Sequence, residues 1–359
     1  MRLGTASGLC VGWLLVGSFA GCARTQPQDE VSADAGLDAM GDGALVDGKA
    51  DGDLGPPAKV SCPPALDACE ASETTFAVAF EPPPSVELLQ ARNGQFLGID
   101  RASSEIVIYE IGHTPVAGKL PEVAESFRLP TAYTRAQLGA EGILACGAAG
   151  CAFVTRDRAL PVPESVEPVA IFARCVGGNG IVCFDADGVL ANLVPPASLS
   201  AKVAAFGFFL SARESLVSSA DGKLRLIRSD GTYPPFEPSL TEPLDSVATV
   251  GGYASSRTWA GRTQSGFLAV GDDSGGTRCD VRAEDVQLTD YSSVPLRFLS
   301  GDRFVVAPLQ ARYAFRGCST TTLPAGTLGH TSASCGLGGS LLVFTAHRIY
   351  ATLISCPVG

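Results

Sequence analysis

The chain has 359 residues and a formal net charge of -11, with 26 Lys and Arg against 37 Asp and Glu. This negative balance excludes a nucleic-acid partner, because nucleic-acid phosphates attract Lys and Arg. Charged residues make up only 18% of the chain, whereas Gly (41) and Pro (24) are frequent. Such a composition predicts a turn-rich β protein with a sizeable core, not a helical bundle.

The first 21 residues have the pattern of a secretory signal peptide. Arg2 precedes a short apolar run that begins at Val11 and closes on the small residues Ala20 and Gly21. A charged start, an apolar centre and small residues at the exit are typical of a segment that is removed after export. A membrane-spanning helix needs about 20 apolar residues, and no later segment reaches that length. We therefore expect the mature chain to be soluble apart from any anchor.

Cys22 follows directly, and residues 1–22 resemble the lipobox-bearing signal peptide of bacterial lipoproteins. The family usually has Leu three residues before the cysteine, where this chain has Phe19. The resemblance implies that Cys22 becomes a lipidated N-terminus that anchors the exported protein to a membrane. Ala23, in place of Asp, implies sorting to the bacterial outer membrane or cell surface. The alternative is an ordinary cleaved secretory peptide, with Cys22 free to join a disulfide.

Residues 22–59 are predicted to form a disordered acidic tether behind Cys22. Residues 29–59 contain eight acids and two bases, which is six of the eleven net negative charges. Few bulky apolar groups are available to offset the backbone entropy of folding. A flexible chain of this length spans roughly 30–35 Å. The aspartates do not form an EF-hand calcium loop, because Lys49 and Ala58 occupy positions that need oxygen ligands.

Residues 60–359 are predicted to form one all-β domain. A unit of apolar strand, Gly/Asp/Asn turn and second strand recurs about every 40 residues, a period typical of four-stranded propeller blades. The segment 74–356 resembles a seven-bladed β-propeller and is similar to cysteine-bearing propeller repeats of exported bacterial proteins. We expect residues 76–80 to pair with the last strand and so close the ring. The alternative is two β-sandwich domains that divide near Pro195 and Pro196.

Ten cysteines remain after Cys10 of the leader and Cys22 are set aside. An even number in an exported chain predicts five disulfides that stabilise the domain. Cys146 with Cys151 and Cys175 with Cys183 flank short glycine-containing turns and are expected to pair across hairpins. The preferred pairs for the others are Cys62 with Cys69, Cys279 with Cys318, and Cys335 with Cys356.

Two Asp-Gly pairs, Asp187-Gly188 and Asp221-Gly222, each precede an apolar strand. Asp-Gly permits the positive φ of a tight hairpin, so these aspartates are interpreted as turn residues.

No residue is predicted to be catalytic or to bind a metal or cofactor. The segment 272–276 resembles the nucleophile segment of trypsin-like proteases, and 345–347 resembles their histidine segment. His347 follows Ser274, whereas in that family the histidine comes first, so we interpret the two segments as a hairpin turn and a strand end. The other two histidines, His113 and His330, have no metal-type spacing.

The predicted function is a non-enzymatic binding or scaffold module at the cell envelope. Its partners would be the membrane, through the lipid on Cys22, and a protein or glycan. Arg257, Trp259 and Arg262 form an aromatic and basic group of loop residues that is a candidate contact surface, although the interpretation favoured for them is ordinary surface. The alternative function is a propeller-type enzyme acting on envelope or extracellular glycans, which would need carboxylates or histidines that converge near the ring axis.

Overall fold

A computed structural model describes most of the chain from Val60 to Ile354. The described residues are 60–112, 119–139, 141–172, 174–185, 187–193, 203–208, 214–228, 238, 240, 242–249, 258–272, 274–287, 295–310, 314–315, 317–333 and 339–354. Residues 1–59, which contain Cys22, lie outside them. The described part consists of strands and two short 3-10 helices, Leu66–Ala68 and Glu164–Val166. The predicted all-β class is therefore confirmed.

The 29 strands are numbered in chain order. The first two precede the repeating sheets and are β1 (Glu70–Ala71) and β2 (Ala77–Phe80). Sheets 1 to 3 then contain β3 (Val86–Arg92), β4 (Gln95–Asp100), β5 (Glu105–Ile111) and β6 (Val123–Arg128); β7 (Tyr133–Leu138), β8 (Ile143–Gly147), β9 (Gly150–Val154) and β10 (Ala159–Pro161); and β11 (Ala170–Phe172), β12 (Cys175–Gly177), β13 (Ile181–Phe184) and β14 (Val189–Leu193).

Sheets 4 to 7 follow in chain order, and sheets 6 and 7 each include one of the two N-terminal strands. They contain β15 (Val203–Phe208), β16 (Glu214–Ser219) and β17 (Leu224–Arg228); β18 (Leu244–Thr249), β19 (Trp259–Thr263), β20 (Phe267–Asp272) and β21 (Gly275–Arg282); β22 (Asp285–Gln287), β23 (Pro295–Ser300), β24 (Arg303–Gln310), β25 (Ala314–Phe315) and β26 (Ser319–Thr322), joined by β1; and β27 (Gly329–Ala333), β28 (Gly339–Thr345) and β29 (Arg348–Ile354), joined by β2.

The sheets form a closed ring, which is the arrangement of a β-propeller. The first strand of each sheet lies at one edge and packs against the first strand of the next sheet. The circuit runs β3, β7, β11, β15, β18, β22, β27 and back to β3. Because β11 packs against β15, the ring continues across residues 194–202. The alternative of two β-sandwich domains that divide near residue 195 is therefore wrong.

The prediction of seven four-stranded blades is wrong. Six sheets have four or more strands, whereas sheet 4 has only β15, β16 and β17 in the part of the chain that the structure describes. The structure therefore has six complete blades, not seven, among its described residues. The sequence period marks one strand per unit and cannot show whether each unit supplies all four.

The predicted closing strand is present. β2 pairs antiparallel with β29, with Ala77 opposite Ala351 and Val78 opposite Tyr350. β2 is therefore the outermost strand of sheet 7, although it lies near the beginning of the described chain. Its last residue, Phe80, places its ring 5.1 Å from that of Tyr109 in sheet 1. One short strand thus joins the two ends of the ring.

Four disulfides are present among the described residues, and two match the predicted pairs. Cys146–Cys151 and Cys175–Cys183 each link facing positions of a hairpin. The predicted pairs Cys62–Cys69 and Cys279–Cys318 are wrong, because the bonds are Cys62–Cys279 and Cys69–Cys318. The N-terminal segment runs along the outside of sheets 5 and 6, so its two cysteines meet different sheets instead of each other. Cys335 and Cys356 lie outside the described residues.

The core lies between neighbouring sheets. Phe153 of sheet 2 stacks on Phe184 of sheet 3 at 5.2 Å, and Phe96 of sheet 1 meets Phe344 of sheet 7 edge-on at 6.0 Å. All four rings are buried. Burying an aromatic side chain of this size contributes about 1.5–3 kcal/mol. The apolar residues therefore hold each sheet to the next, and no single central core exists among the described residues.

The two faces of the ring carry different turns. Each complete sheet runs out and back twice, so the chain returns to the same face before it enters the next sheet. We call this the upper face; it carries the turns between second and third strands and the links between sheets. The lower face carries the turns between first and second strands and between third and fourth strands.

Candidate functional site

A cluster of charged side chains surrounds Asp285, the first residue of the inner strand β22. Its Oδ2 accepts a hydrogen bond from the backbone N–H of His330 at 2.9 Å. His330 is the second residue of β27, the inner strand of the next sheet. Both residues lie where inner strands begin, so this pair lies on the upper side of the ring near its axis.

His330 is buried at the boundary between sheets 6 and 7. Its side chain has no exposed surface, and its ring meets Phe304 edge-on at 5.1 Å. Nδ1 lies 2.9 Å from Oδ2 of Asp285, yet neither ring nitrogen makes a hydrogen bond of acceptable geometry. The short distance and the missing hydrogen bond are compatible, because the carboxylate lies off the axis of the ring N–H. The contact becomes an ion pair only when the imidazole is protonated.

Two arginines bring positive charge to the same carboxylate from other sheets. Arg92 ends the inner strand β3 and is half-buried. Burial lowers the pKa of its guanidinium, and the charge of Asp285 acts in the opposite direction. Arg262, on β19 of sheet 5, has its pKa raised, chiefly by hydrogen bonds to Asp245 and to a smaller degree by the charges of Asp285 and Glu284.

Arg262 is itself held on both sides. Its Nε lies 2.8 and 2.9 Å from the two carboxylate oxygens of Asp245. Its Nη1 donates to the backbone carbonyl of Glu284, in the link between sheets 5 and 6. We call Arg92, Asp245, Arg262, Asp285 and His330 the Asp285 cluster. It connects sheets 5, 6, 7 and 1 through charges of alternating sign.

The chemistry open to this cluster is ionic cross-linking of the ring. Its carboxylates face guanidinium or imidazole groups, an arrangement that stabilises the charged carboxylate. Among the described residues, no group of three or more His, Cys, Asp or Glu side chains is placed to hold a metal ion. The cluster could not be found from the sequence, because its members share no motif and are separated by up to 238 positions (Arg92 to His330).

The protease-like segments lie on opposite faces of the ring. Ser274 lies in the turn between the third and fourth strands of sheet 5, whereas His347 lies in the turn between the second and third strands of sheet 7. Ser274 donates its hydroxyl to Asp272 at 2.6 Å, and Nδ1 of His347 lies 3.2 Å from the carbonyl of Val86. The residues needed for a serine protease are therefore not brought together.

The glycines of the same segment are explained by Trp259. A Cβ at Gly271 would lie 2.4 Å from the indole, and one at Gly276 would lie 2.5 Å from it. Trp259 is fully buried in β19 and donates its Nε1–H to the carbonyl of Asp272 at 3.3 Å. The hairpin thus needs glycine on both strands to fit the indole. The resemblance to a nucleophile segment comes from a packing requirement.

The predicted contact surface of Arg257, Trp259 and Arg262 is wrong. Trp259 is a core residue, and Arg262 is engaged with Asp245 and Glu284. Arg257 lies outside the described residues. The tryptophan appeared to belong to a loop because the apolar residues around it are few.

Aspartates at hairpin turns have the structural role that was predicted for them. Oδ1 of Asp185 accepts the N–H groups of Asp187 and Gly188 at 2.8 and 2.9 Å. Asp221 accepts the N–H of Lys223 at 3.1 Å, and Gly222 has a φ of +81°. Side-chain acceptors of this kind imitate a backbone turn.

The inner strands of four sheets share a bulge within their first four residues. The pairing register skips one residue in β3, β7, β15 and β18, at Leu89, Thr134, Ala204 and Asp245. Leu89, Thr134 and Asp245 are exposed although they lie on the innermost strands. A bulge re-aims a side chain out of the regular alternation. Each of these three residues therefore contributes to the surface around the axis.

Two further exposed apolar residues lie on the upper face just before inner strands. Val169 precedes β11 with 49% of its surface exposed, and Leu328 precedes β27 with 53% exposed. Leu89 is 47% exposed. We call Leu89, Thr134, Val169, Asp245 and Leu328 the upper axial surface. It includes three of the six exposed large hydrophobic residues of the described part.

A second ionic network lies within sheet 1. Arg128 contacts Asp100 and Glu105 at 3.0 Å each through Nη1, and Glu125 at 3.0 Å through Nε. The hydrogen bond from Arg128, followed by that from the N–H of Ala102, lowers the pKa of Asp100 to about 2. The three carboxylates raise the pKa of Arg128. This network joins β4, β5 and β6 on the solvent side of the sheet.

No helix of the described residues is long and apolar enough to cross a membrane.

Comparison with solved structures finds similar folds at low sequence identity. BBS1N in complex with ARL6DN, soaked with lead, has a TM-score of 0.53 and 13% identity, and the match covers 80% of this chain and 99% of that chain. The mercury-soaked complex has a TM-score of 0.50 and 14% identity, with the same coverage. At this level of identity the likeness concerns the fold alone.

A third similar structure is PorZ of Porphyromonas gingivalis, described as an essential bacterial surface component of the type-IX secretion system. Its TM-score is 0.45 and its identity 13%, and the match covers 79% of this chain but only 39% of that chain. No protein-family description and no curated protein matches the sequence.

The Asp285 cluster predicts a specific loss of stability. Asp285→Asn should lower the free energy of unfolding by about 2–3 kcal/mol, because it removes the carboxylate that faces two arginines and a buried histidine. Chemical denaturation with the disulfides intact measures the change. Glu284→Gln is the control, since that side chain is exposed and only its backbone contacts Arg262; it should change stability by no more than about 0.5 kcal/mol. Equal effects of the two substitutions would refute the role of the cluster.

The Arg128 network predicts a pH dependence. The pKa of Asp100 is lower in the folded protein than its ordinary value of 3.8. The stability that this carboxylate contributes is therefore fully present above pH 3.8 and is lost as the pH falls towards 2. Asp100→Asn should therefore flatten the fall of the melting temperature between pH 4 and pH 2. The exposed turn variant Asp157→Asn should keep the wild-type slope. Parallel curves for wild type and Asp100→Asn would contradict the assignment.

Proposed function

We propose that the protein is an exported, lipid-anchored binding module of the bacterial cell envelope, and that its propeller domain holds a protein or glycan partner at the upper axial surface. The observation that carries this proposal is that three sheets each expose a large apolar residue on or just before their inner strand, namely Leu89, Val169 and Leu328. Grouped exposed apolar residues on a soluble domain are typical of interaction sites. Thr134 and Asp245 supply polar groups beside them.

The proposed role is binding and not catalysis, because the charged groups near the axis are used to hold the ring. Asp245 and Asp285 face Arg262, Arg92 and His330. A general acid or base must be available to a substrate proton. Carboxylates that are compensated by guanidinium groups are better suited to hold the sheets in place around a binding surface.

The proposed location is supported by the cysteines. Four disulfides, two of them between residues more than 200 positions apart, suit a protein that folds in an oxidising compartment outside the cytoplasm. Lipid attachment at Cys22 rests on the sequence of residues 1–22. An anchored propeller would present its loops to partners at or near the membrane surface.

The anchor has a direct test. Cys22→Ser should abolish labelling by an alkyne fatty-acid probe and move the protein from the membrane to the soluble fraction, because the thiol is the only attachment point for the lipid. Cys10→Ser is the matched control within the leader and should leave labelling and fractionation unchanged. Membrane retention of unlabelled Cys22→Ser protein would overturn the lipoprotein assignment.

The binding surface is tested separately by proximity cross-linking of the anchored protein in intact cells. Val169→Glu combined with Leu328→Glu should reduce recovery of specific partners at least tenfold, because two charges would enter the proposed contact. Val189→Glu is the control; Val189 is 53% exposed but begins β14 at the lower face. Melting temperatures should be unchanged in all variants. Equal recovery with the double variant and wild type would exclude this surface.

A further inference from the structure

The segment 60–80 runs along the outside of three successive sheets before the ring begins. We call it the strap. Val60 is buried with residues of sheets 5 and 6, and Cys62 is bonded to Cys279 on β21, the outer strand of sheet 5. The strap then reaches sheet 6, and it ends as β2 on sheet 7.

The strap is fixed to sheet 6 by covalent and backbone bonds together. Cys69 is bonded to Cys318, directly before β26. The N–H of Glu70 donates to the carbonyl of Cys318 at 2.9 Å, and that of Ser72 donates to Thr320 at 2.7 Å. β1 pairs in parallel with β26. The chain therefore cannot leave sheet 6 without breaking a disulfide.

The closing strand itself is the weakest part of this path. β2 has four residues, and its pairing with β29 shifts register between Val78 and Phe80. A pull on the N-terminal end of β2 that acts across the sheet would load its hydrogen bonds to β29 one after another. Without further attachment, such tension on the N-terminal side of the domain would peel β2 from β29.

We infer that the strap is a tension-bearing clamp: Cys62–Cys279 and Cys69–Cys318 transfer a pull on the N-terminal side of the domain to sheets 5 and 6, so that β2 carries none of it. The two bonds lie 15 and 8 residues before Ala77, and a pulling force meets them first. The two disulfides protect the few hydrogen bonds by which β2 pairs with β29. The proposed lipid anchor would be one source of such tension, and in that respect alone the inference rests on the proposed function.

The lengths involved make the clamp measurable. Opening Cys62–Cys279 alone frees the seven residues up to Cys69, which extend by at most about 25 Å. Opening both bonds frees the chain up to Phe80, which is 18 residues or at most about 65 Å, and detaches β2. The two disulfides therefore predict two distinct extensions.

The test is single-molecule force spectroscopy on the full mature chain. One handle is attached at its N-terminus, and the other at Asp157 through an azide-bearing side chain, since Asp157 lies in an exposed turn of sheet 2. The oxidised protein should show no extension before the ring unfolds. Cys62→Ser/Cys279→Ser should add an early step of at most about 25 Å, and the variant without both bonds an early step of up to about 65 Å.

Cys146→Ser/Cys151→Ser is the matched control, because that bond closes only a hairpin and should leave the trace as in the wild type. If the four-serine variant does not fold, the wild-type protein is pulled before and after a reducing agent enters the chamber, and the long step should appear only afterwards. An early release of about 65 Å in the oxidised protein would overturn the clamp, as would identical traces with and without the bonds. Neither result depends on lipid at Cys22, so a failed anchor and a failed clamp are distinguished.

Discussion

A ring made from one linear chain depends on the contact where its two ends meet. Here that contact consists of the pairing of β2 with β29, the packing of Phe80 on Tyr109, and the packing of sheet 7 on sheet 1, which includes the edge-on pair of Phe96 and Phe344. Every other boundary between sheets joins segments that are close in sequence, and the loop entropy lost there is small. The closing contact joins residues some 270 positions apart. Its stability decides whether the other boundaries, including the one that holds His330, are kept.

The charged residues follow from this geometry. In a ring of sheets, the inner strands converge near the axis, where side chains from several sheets lie close together. Asp285 of sheet 6 accepts a hydrogen bond from the backbone N–H of His330 in sheet 7. It also faces Arg92 of sheet 1 and Arg262 of sheet 5, so one carboxylate helps to position four sheets. Buried or half-buried charges are costly unless they are paired, and alternating signs satisfy that requirement. The interior polarity that could suggest catalysis is here a consequence of assembling the ring.

The features that could be predicted from the sequence are those encoded within a few residues. Cys146 and Cys151 flank a turn, so their pairing follows from hairpin geometry, and the role of Asp187-Gly188 follows from backbone sterics. The partners of Cys62 and Cys69 depend on which sheets lie under the strap, and no local pattern carries that information. The Asp285 cluster could not be predicted for the same reason, because its residues come from four sheets that are distant in the sequence. Trp259 shows a different error: it was interpreted as a loop residue because few apolar residues surround it in the sequence, whereas it is buried in β19.

The connectivity of the strap also constrains how the protein matures. A chain exported from its N-terminus delivers Cys62 and Cys69 first, whereas their partners Cys279 and Cys318 arrive after more than 200 further residues. Four other cysteines pass in between, and those close short loops that form quickly. The two N-terminal thiols must therefore stay unpaired, or be released from wrong pairs by thiol exchange, until sheets 5 and 6 exist. Folding of the domain is thus tied to a compartment that can rearrange disulfides as well as make them.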